Sequence, residues 1–229
     1  MALKGNKRHI KRLASPAFFD IHKKEAKYIT KPNPGRHNLN KSMALVSVIK
    51  TLGLANSSAE AKKIIKSGAI LVNSKIIKEE KYPVGIQDII TAGTDKSKQN
   101  YKITINQKGK ISFVKVGEDA NSSYTYKLVK KFKTKGNKIM LQLYDGSLIE
   151  GNKDINTGDS VQIDSNKKIL RVIKMAPGTS CFIIDGIHVG TEGTIKEIIP
   201  GTRQRDKSVK IATKDGVEFE TLLKNVMVI

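Results

Sequence analysis

The chain has little of what disulfides, membranes and large aromatic cores require. Tryptophan is absent, aromatic residues make up 5% of the 229 positions, and Cys181 is the only cysteine. One cysteine excludes an internal disulfide framework and a zinc site built on cysteines. No apolar run approaches the roughly 18 residues of a membrane span, and the N-terminus lacks the apolar core of a secretion signal. We therefore expect a soluble intracellular protein with small aliphatic cores.

Positive charge is what the chain has in excess. Forty-two lysines and arginines face 21 acidic residues, which gives a net charge of +21. Residues 1–42 carry +9, residues 43–106 carry +5 and residues 107–175 carry +7, while residues 176–229 are neutral. Such an excess concerns the partners of a protein rather than its fold, and nucleic acid is the commonest polyanionic partner. We expect the first three quarters of the chain to hold the polyanion.

The length of the chain favours two or three small domains. Residues 1–42 are predicted to precede them as an extended basic arm. Three of the four histidines lie here, and apolar residues show little regular spacing. The segment cannot bury much alone, so we expect it to become ordered on its partner, with a short helix near Lys7 to Leu13. A disordered tail is the alternative, but a pure tail would rarely contain Ile10, Leu13, Phe18, Phe19 and Ile21.

Two helices are predicted from residue 42 onward. Ser42 can cap the first, and Gly53 can end it. Its apolar face is formed by residues at helical spacing, namely Leu45, Val48, Ile49 and Leu52. Ser57 and Glu60 are spaced as a capping box for the second helix, which Gly68 ends. The buried face of this helix is predicted at Ala61, Ile64 and Ile65.

A small hairpin should follow the second helix. Residues 69–72 and 75–77 are its predicted strands, joined by a turn at Asn73 and Ser74 because asparagine tolerates left-handed backbone angles. Residues 82–90 then return as a loop and a strand. This unit is α+β and is expected to end near residue 106.

The remainder is predicted to consist of short strands in a central β-barrel-like domain, residues 107–175, and a final barrel, residues 176–229. The predicted central strands are residues 126–133, 139–143, 147–149, 160–163 and 169–173. The predicted final strands are residues 181–184, 193–199, 209–213, 217–222 and 226–229. The chain as a whole is therefore expected to be a multi-domain α+β protein.

Residues 42–90 resemble the small RNA-binding fold named after bacterial ribosomal protein four. The similar positions are Ser58, Ala61, Ile64, Gly68, Val72, Asn73, Asp88 and Ile90. Ala59 stands where that family often has arginine. Residues 185–195 resemble a KOW motif, a glycine-punctuated strand–turn–strand, in which Gly190 and Gly193 allow tight turns and Ile195 and Ile198 enter a barrel core of the SH3-like kind.

The order of these parts resembles the archaeal and eukaryotic small-subunit ribosomal protein family called four-e. The arm is similar over residues 5–16 and at Pro34, Gly35 and His37, and later similarities are Tyr82, Pro83, Gly85 and Asp88. Phe18-Phe19 replaces a common tryptophan, and the end at Ile229, without a basic tail, favours an archaeal member. The resemblance implies a cytoplasmic ribosomal component that binds ribosomal RNA and neighbouring ribosomal proteins, with no enzyme activity, cofactor, metal or small-molecule substrate.

Lysine outnumbers arginine, which suits charge neutralisation more than bidentate reading of bases. The arm offers Lys4, Lys7, Arg8, His9, Lys11 and Arg12, with Arg36 and His37 at a Pro-Gly turn. The helix–hairpin unit offers Lys62, Lys63, Lys66, Asn73 and Lys75. The central hairpin offers Lys130, Lys131, Lys133, Lys135 and Lys138, and the last segment offers Arg203 and Arg205. Each set could instead be ordinary solvated side chains.

Two other functions are alternatives to a ribosomal role. A free-standing RNA chaperone, or a regulator of translation or transcription elongation, would share the basic surface but could act without the arm. An RNA-modifying enzyme would need a catalytic domain, and no glycine-rich nucleotide or phosphate loop is present. His188 is expected to be exposed rather than catalytic, and Asp185 and Glu192 make no acid–base pair.

Overall fold

The computed structural model describes residues 9–19, 27–93, 98–117, 123–214 and 216–229. These residues form two compact units. The first unit contains the described residues up to 104 and residues 110–117, and the second contains residues 105–109 and the described residues from 123 onward. Among the described helices, none is both long enough and apolar enough to cross a membrane.

The first unit contains both α-helices found in the described residues and three antiparallel sheets. Its elements are β1 (His9–Lys11), β2 (Tyr28–Thr30), β3 (Ser42–Ala44), α1 (Leu45–Thr51), α2 (Ser58–Ser67), β4 (Ile70–Val72), β5 (Lys75–Ile76), β6 (Pro83–Gly85), β7 (Ile89–Ala92), β8 (Gln99–Ile105) and β9 (Ile111–Val116). β1 pairs with β2, β3 pairs with β6, and the largest sheet has the order β5-β4-β7-β8-β9.

Helix α2 forms as its end signals predict. The Ser57 hydroxyl accepts a hydrogen bond from the backbone N–H of Glu60 at 3.2 Å. The Glu60 carboxylate accepts from the backbone N–H of Asn56 at 2.8 Å, one residue before the capping-box position. Gly68 ends the helix with φ 82°, which a residue without a side chain adopts at little cost. Ala61 and Ile65 are buried, and the helix lysines are exposed.

Helix α1 begins later than predicted. Residue Ala44 precedes its first turn and provides no side-chain cap, and the expected cap Ser42 lies in β3. The reason is strand pairing: Ser42 faces Gly85 and Ala44 faces Pro83 in an antiparallel ladder, which holds this backbone extended. The apolar face of α1 is as expected, because Leu45, Val48 and Ile49 are fully buried.

The predicted hairpin after α2 is present. Strands β4 and β5 pair antiparallel, with Val72 facing Lys75. Asn73 and Ser74 between them have φ of 50° and 62°, so the turn uses the left-handed backbone that asparagine tolerates.

The described part of the arm is packed more than expected. Residues 9–11, where the sequence predicts part of a helix, form a strand because they pair with residues 28–30; a 3-10 turn follows at Arg12–Ala14. The predicted helix residues Lys7 and Arg8 lie outside the described residues. Among the arm's apolar side chains, Ile10, Phe18, Phe19 and Ile29 are buried. The carbonyl of Phe18 accepts a hydrogen bond from the N–H of Ile111 at 2.8 Å, which ties this stretch to the first unit.

The strands around residue 106 also differ from the expected layout. β8 ends at Ile105 and β9 begins at Ile111, and the two are neighbours in one sheet. The predicted end of the helix–hairpin unit therefore falls within a strand pair. Ile103 and Ile111 are buried in the first unit, so β8 and β9 contribute to its core.

The second unit consists of two five-stranded antiparallel sheets. The central sheet contains β10 (Tyr124–Lys133), β11 (Ile139–Leu143), β12 (Leu148–Glu150), β13 (Ser160–Ile163) and β14 (Ile169–Ile173), in the order β12-β11-β10-β13-β14. The terminal sheet contains β15 (Ser180–Ile183), β16 (Glu192–Ile199), β17 (Ser208–Thr213), β18 (Glu218–Leu222) and β19 (Val226–Val228), in the order β18-β17-β16-β15-β19. The strands predicted in both stretches are present within one or two residues.

The terminal core is small and aliphatic, as the composition predicts. Its buried members are Cys181, Ile183, Ile195, Val209, Ile211 and Val226. Burial raises the pKa of the Cys181 thiol to about 11, against a weaker opposing hydrogen bond with the backbone of Gly193. A side chain at Gly193 would lie 2.6 Å from the carbonyl oxygen of Ala212, so glycine allows β16 and β17 to approach. Cys181 therefore acts as a buried apolar residue.

Candidate nucleic-acid interface

A buried carboxylate holds the Pro-Gly turn of the arm against the hairpin. Asp88 is 0% exposed, and its Oδ2 lies 2.7 Å from Nε2 of His37. The Asn73 amide donates to Oδ1 of Asp88 at 2.7 Å, and the N–H of Gly85 donates to Oδ2 at 3.1 Å. The Arg36 guanidinium lies 3.4 Å from Oδ1. Residues far apart in sequence thus share one acceptor.

These partners keep Asp88 ionised. Burial alone would raise the pKa of Asp88, but the charge and hydrogen bond of His37, with Arg36 and Asn73, hold that pKa well below its usual range. Gly85 makes room for the pairing, because a Cβ there would lie 2.5 Å from Nδ1 of His37. Any side chain at residue 85 would displace the imidazole.

Three residues predicted to contact RNA belong to this cluster around Asp88, and two of them are buried. His37 and Asn73 are 8% and 7% exposed, so their side chains lie inside the first unit rather than on its surface. The carbonyl oxygen of the Asn73 side chain also accepts from the N–H of Ile89 at 2.9 Å. Arg36 keeps 28% of its side chain exposed beside Asp88. Of the three, only Arg36 presents its charge at the surface.

The exposed face of the helix–hairpin unit carries lysines. Lys63, Lys66 and Lys75 are exposed, and they have no ion-pair partner among the described residues. Lys62 is exposed too, but its ammonium lies 3.1 Å from the Glu80 carboxylate. The hydrophobic face of α2 fixes the direction of these lysines, since Ala61 and Ile65 are buried on the opposite side.

In the arm, the predicted residues Lys4, Lys7 and Arg8 lie outside the described residues. His9 and Lys11 are exposed on β1, on either side of the buried Ile10. Arg12 is half-buried in the turn that follows. Strand alternation therefore presents His9 and Lys11 on one face.

The hairpin of β10 and β11 carries the densest positive charge. Every residue from 129 to 138 is exposed. Within the described residues, Lys130, Lys133 and Lys135 have no hydrogen-bond or ion-pair partner. Lys131 instead donates to the backbone carbonyls of Lys153 and Ile155 at 2.8 and 2.7 Å, and Lys138 lies 3.6 Å from Glu150. We call residues 129–138 the lysine hairpin.

Lys127 is a buried lysine that the sequence analysis did not single out. It is 4% exposed, and its ammonium donates to the carbonyls of Leu223 and Lys224 at 2.7 and 2.9 Å, which joins the central sheet to the terminal sheet. Burial lowers the pKa of Lys127 to about 7. It stands in the same alternating, lysine-rich strand as the exposed lysines, so no local signal separates it from them.

The terminal sheet neutralises most of its own charge. Arg203 and Arg205 are exposed as expected, and Arg205 pairs with Glu220. Four further surface pairs are Lys196–Glu218, Lys210–Glu197, Lys214–Glu192 and Lys224–Asp206. His188 is exposed, as predicted, and its ring stacks on Phe219 with centroids 3.9 Å apart. Five of the seven basic residues after residue 175 are thus paired.

Among the described residues, no group of three or more His, Cys, Asp or Glu side chains could hold a metal ion. A groove of about 420 Å³ lies beside the loop at residues 186–188, lined also by Arg205 and Glu220. The chemistry that the described surface offers is therefore concentrated positive charge on α2 and on the lysine hairpin.

Three family models match consecutive parts of the chain. The RS4NT (NUC023) domain matches residues 4–40, and the S4 domain matches residues 43–90. The model described as ribosomal family S4e matches residues 97–169. The first match lies within the predicted arm, and the second lies within the predicted helix–hairpin unit and ends at residue 90.

Whole proteins are similar as well. The small ribosomal subunit protein eS4 of Methanococcus vannielii is 32% identical over 100% of this chain and 96% of its own length. The protein of the same name from Methanocella arvoryzae is 35% identical over 96% of this chain and 93% of its own length. The crystal structure of the 30S ribosomal protein S4e from Thermoplasma acidophilum has a TM-score of 0.70 and 29% identity, covering 82% of this chain and 95% of that one. By identity along its whole length, this chain belongs to the ribosomal protein S4e family.

Proposed function

We propose that this chain is a structural protein of the small ribosomal subunit, where it binds ribosomal RNA and contacts neighbouring ribosomal proteins without catalysing a reaction. One observation carries the proposal: its similarity to proteins named small ribosomal subunit protein eS4 extends over 100% of the chain and 96% of the relative. The relatives are archaeal, and we place this chain with the ribosomes of an archaeal cytoplasm.

The RNA contact is made chiefly with phosphates. Folded RNA brings phosphates close together, and each lysine that neutralises one releases condensed counterions, with a log–log salt slope of about −0.7 to −0.9 per contact. Exposed lysines without carboxylate partners suit this role, and the lysine hairpin supplies Lys130, Lys133 and Lys135. On the first unit, Lys63, Lys66 and Lys75 supply the second surface.

We assign the remaining predicted residues by their exposure. His9, Lys11, Arg36 and Arg203 are placed to reach RNA directly, while His37 and Asn73 act by holding the turn and the hairpin around Asp88. Lys131 stabilises the loop at residues 153–155 through its two hydrogen bonds, and we assign it this structural role rather than a phosphate contact. This division separates residues whose loss lowers phosphate contacts from those whose loss disturbs the fold.

The finer architecture is also proposed. We describe the chain as α+β with a basic arm (residues 1–42), a helix–hairpin RNA-binding domain that continues from residue 43 to the end of β9, a central barrel-like domain from β10 to residue 175, and a KOW-containing SH3-like barrel (176–229). The order of the two five-stranded antiparallel sheets supports the last two assignments. The close approach of β16 and β17 at Gly193 supports the KOW assignment.

Sedimentation of a lysate in high-magnesium buffer tests the function. We expect this chain to migrate with small ribosomal subunits at nearly one copy for each particle, and to remain there after a moderate salt wash. A chain that stays mostly at the top of the gradient would contradict the ribosomal assignment.

A free-standing RNA chaperone or regulator is the remaining candidate, and the arm separates it from the ribosomal protein. Ile10, Phe18, Phe19 and Ile29 bury part of the arm, so the arm belongs to the folded molecule. A chain lacking residues 1–42 that still rescued growth, while no longer entering subunits, would favour the regulator.

A further inference from the structure

Three strands of the central sheet share an outer face, which carries apolar side chains as well as Lys130, one of the proposed phosphate contacts. The register places Phe132 opposite Met140, and Met140 opposite Glu150. The neighbouring row contains Lys130, Gln142 and Leu148. Side chains alternate between the two faces of a strand, and the intervening residues Leu141 and Ile149 are buried. These six residues therefore lie on the side away from the core, and we call them the outer face.

Phe132 is the exposed aromatic residue of this face. All six phenylalanines of the chain lie in the described residues, and Phe132, at 40% exposed, is more exposed than the other five. Leu148 on the same face is 46% exposed. A sheet surface with an exposed ring on β10 and an exposed aliphatic side chain two strands away on β12 leaves apolar area in water, which a flat partner can cover.

The charge around the ring indicates what that partner is. Lys130 stands in the adjacent row of the same face, and Lys133 and Lys135 continue the hairpin beyond it. The carboxylate of the face, Glu150, lies 3.6 Å from the Lys138 ammonium and is thus largely compensated. An aromatic ring bordered by uncompensated lysines fits a partner that is both flat and anionic, which describes a nucleotide in an unpaired stretch of RNA.

We propose that Phe132 stacks on an unpaired base of the bound RNA while Lys130 neutralises an adjacent phosphate. The proposal rests on the proposed function and adds one base contact to a surface otherwise dominated by phosphate contacts. Stacking uses the π-face that every base has, so the contact selects single-stranded over fully paired RNA without selecting a sequence.

The absence of tryptophan makes this contact directly observable. Phe132→Trp places one indole in a chain that has none, and a base stacked on the indole should quench its fluorescence. We expect quenching by small-subunit ribosomal RNA, and none by heparin, which offers negative charge without bases. Leu170→Trp is the matched control, because residue 170 is 58% exposed on β14 of the same sheet but lies outside the outer face. The control should bind RNA without quenching.

Affinity supplies a second measurement. Phe132→Leu keeps an apolar side chain but removes the π-face, and we expect about tenfold weaker binding of ribosomal RNA with an unchanged salt slope. Phe132→Tyr should restore the affinity, which a purely structural role for an apolar residue would not require.

The outcomes separate this proposal from the proposed function. RNA binding with an unquenched Phe132→Trp reporter, or with full affinity in Phe132→Leu, would overturn the stacking contact and leave the ribosomal assignment intact. Quenching by heparin equal to that by RNA would also overturn it, because charge alone would then explain the signal. A wild-type chain that ignores ribosomal RNA would overturn the proposed function itself.

Discussion

The central sheet and the terminal sheet are both five antiparallel strands, and each has a bulge in its longest strand, β10 and β16. Their basic residues nevertheless have different surroundings. In the lysine hairpin, Lys130, Lys133 and Lys135 have no partner within the described residues. In the terminal sheet, five basic residues face five carboxylates across neighbouring strands and loops, as in the pairs Lys210–Glu197 and Lys224–Asp206.

This difference shows that the uncompensated positive charge is concentrated in the central sheet and is not distributed evenly over the two sheets. A lysine beside a carboxylate adds little to the long-range potential, whereas adjacent lysines without partners raise it and repel one another. In the proposed RNA complex, nearby phosphates would relieve this repulsion, so residues that cost stability in the free protein would favour binding. The terminal sheet has a nearly neutral surface, so we expect it to contribute little to RNA binding.

Removing the charge of the lysine hairpin should have the largest effect. We expect the triple change Lys130→Gln, Lys133→Gln and Lys135→Gln to weaken ribosomal RNA binding about a hundredfold near physiological salt, and to flatten the log–log salt slope by about 2 to 3. Filter binding or fluorescence anisotropy over a salt series measures both quantities.

The matched control removes the same charge from the terminal sheet. Lys196→Gln, Lys210→Gln and Lys214→Gln lower the net charge equally, but each affected ammonium already lies beside a carboxylate. We expect the affinity to change by less than about threefold. Equal losses in the two triple variants would mean that only bulk charge matters.

Lys127 shows a third treatment of lysine, burial against neutral carbonyls. Its pKa is lowered from 10.5 to about 7 in the folded protein, so the unfolded chain binds more protons between those values. The free energy of unfolding therefore rises with pH in that window. We expect a gain of about 2 kcal/mol between about pH 7 and pH 9, seen as slower hydrogen exchange in β10 and β13 after correction for the intrinsic rate.

Lys127→Met tests the assignment of this pH effect. The thioether side chain fills a similar volume without a titrating group, and Lys130→Met changes an exposed lysine in the same strand. The corrected protection of Lys127→Met should no longer rise with pH, whereas Lys130→Met should behave like the wild type. A rise that persists in Lys127→Met would assign the titration to another group.

Features that depend on neighbouring residues could be predicted from the sequence, whereas features that depend on residues distant in the chain could not. Capping and turn signals are local, which is why α2, its stop at Gly68 and the turn at Asn73 were predictable. Ser42 failed as a cap because Gly85, more than forty residues away, pairs with it. The Asp88 cluster could not be predicted for the same reason, because Arg36 and His37 lie about fifty residues before that carboxylate in the sequence.

The candidate site divides in the same way. Composition and spacing located the lysine hairpin, but no pattern distinguishes Lys131, which binds carbonyls of residues 153 and 155, from its exposed neighbours. Lys127 is the stronger case, since its partners lie about a hundred residues further along the chain. Charge can be counted from the sequence, but its partners depend on tertiary structure.

The two sheets should also differ in what a single lysine does for stability. Lys210 and Glu197 are half-exposed and 3.1 Å apart, so Lys210→Gln should lower the free energy of unfolding by less than about 1 kcal/mol. Lys133→Gln should leave it unchanged or raise it slightly, because it relieves like-charge repulsion within the hairpin. Urea titrations of the two variants measure the signs. Destabilisation by Lys133→Gln equal to that by Lys210→Gln would indicate a hairpin partner.

The smallest effect comes from freeing one lysine in each sheet. Glu150→Gln releases Lys138 in the lysine hairpin, and Glu197→Gln releases Lys210 in the terminal sheet, so both variants gain the same single charge. If RNA lies along the hairpin, Glu150→Gln should bind about threefold tighter, since one more phosphate can be neutralised. Glu197→Gln should bind as the wild type does, because its new free lysine faces no phosphate. Because the two changes are identical in charge, an equal gain in both would mean that only bulk charge matters, whereas a gain in Glu150→Gln alone would localise the phosphate contact to the central sheet.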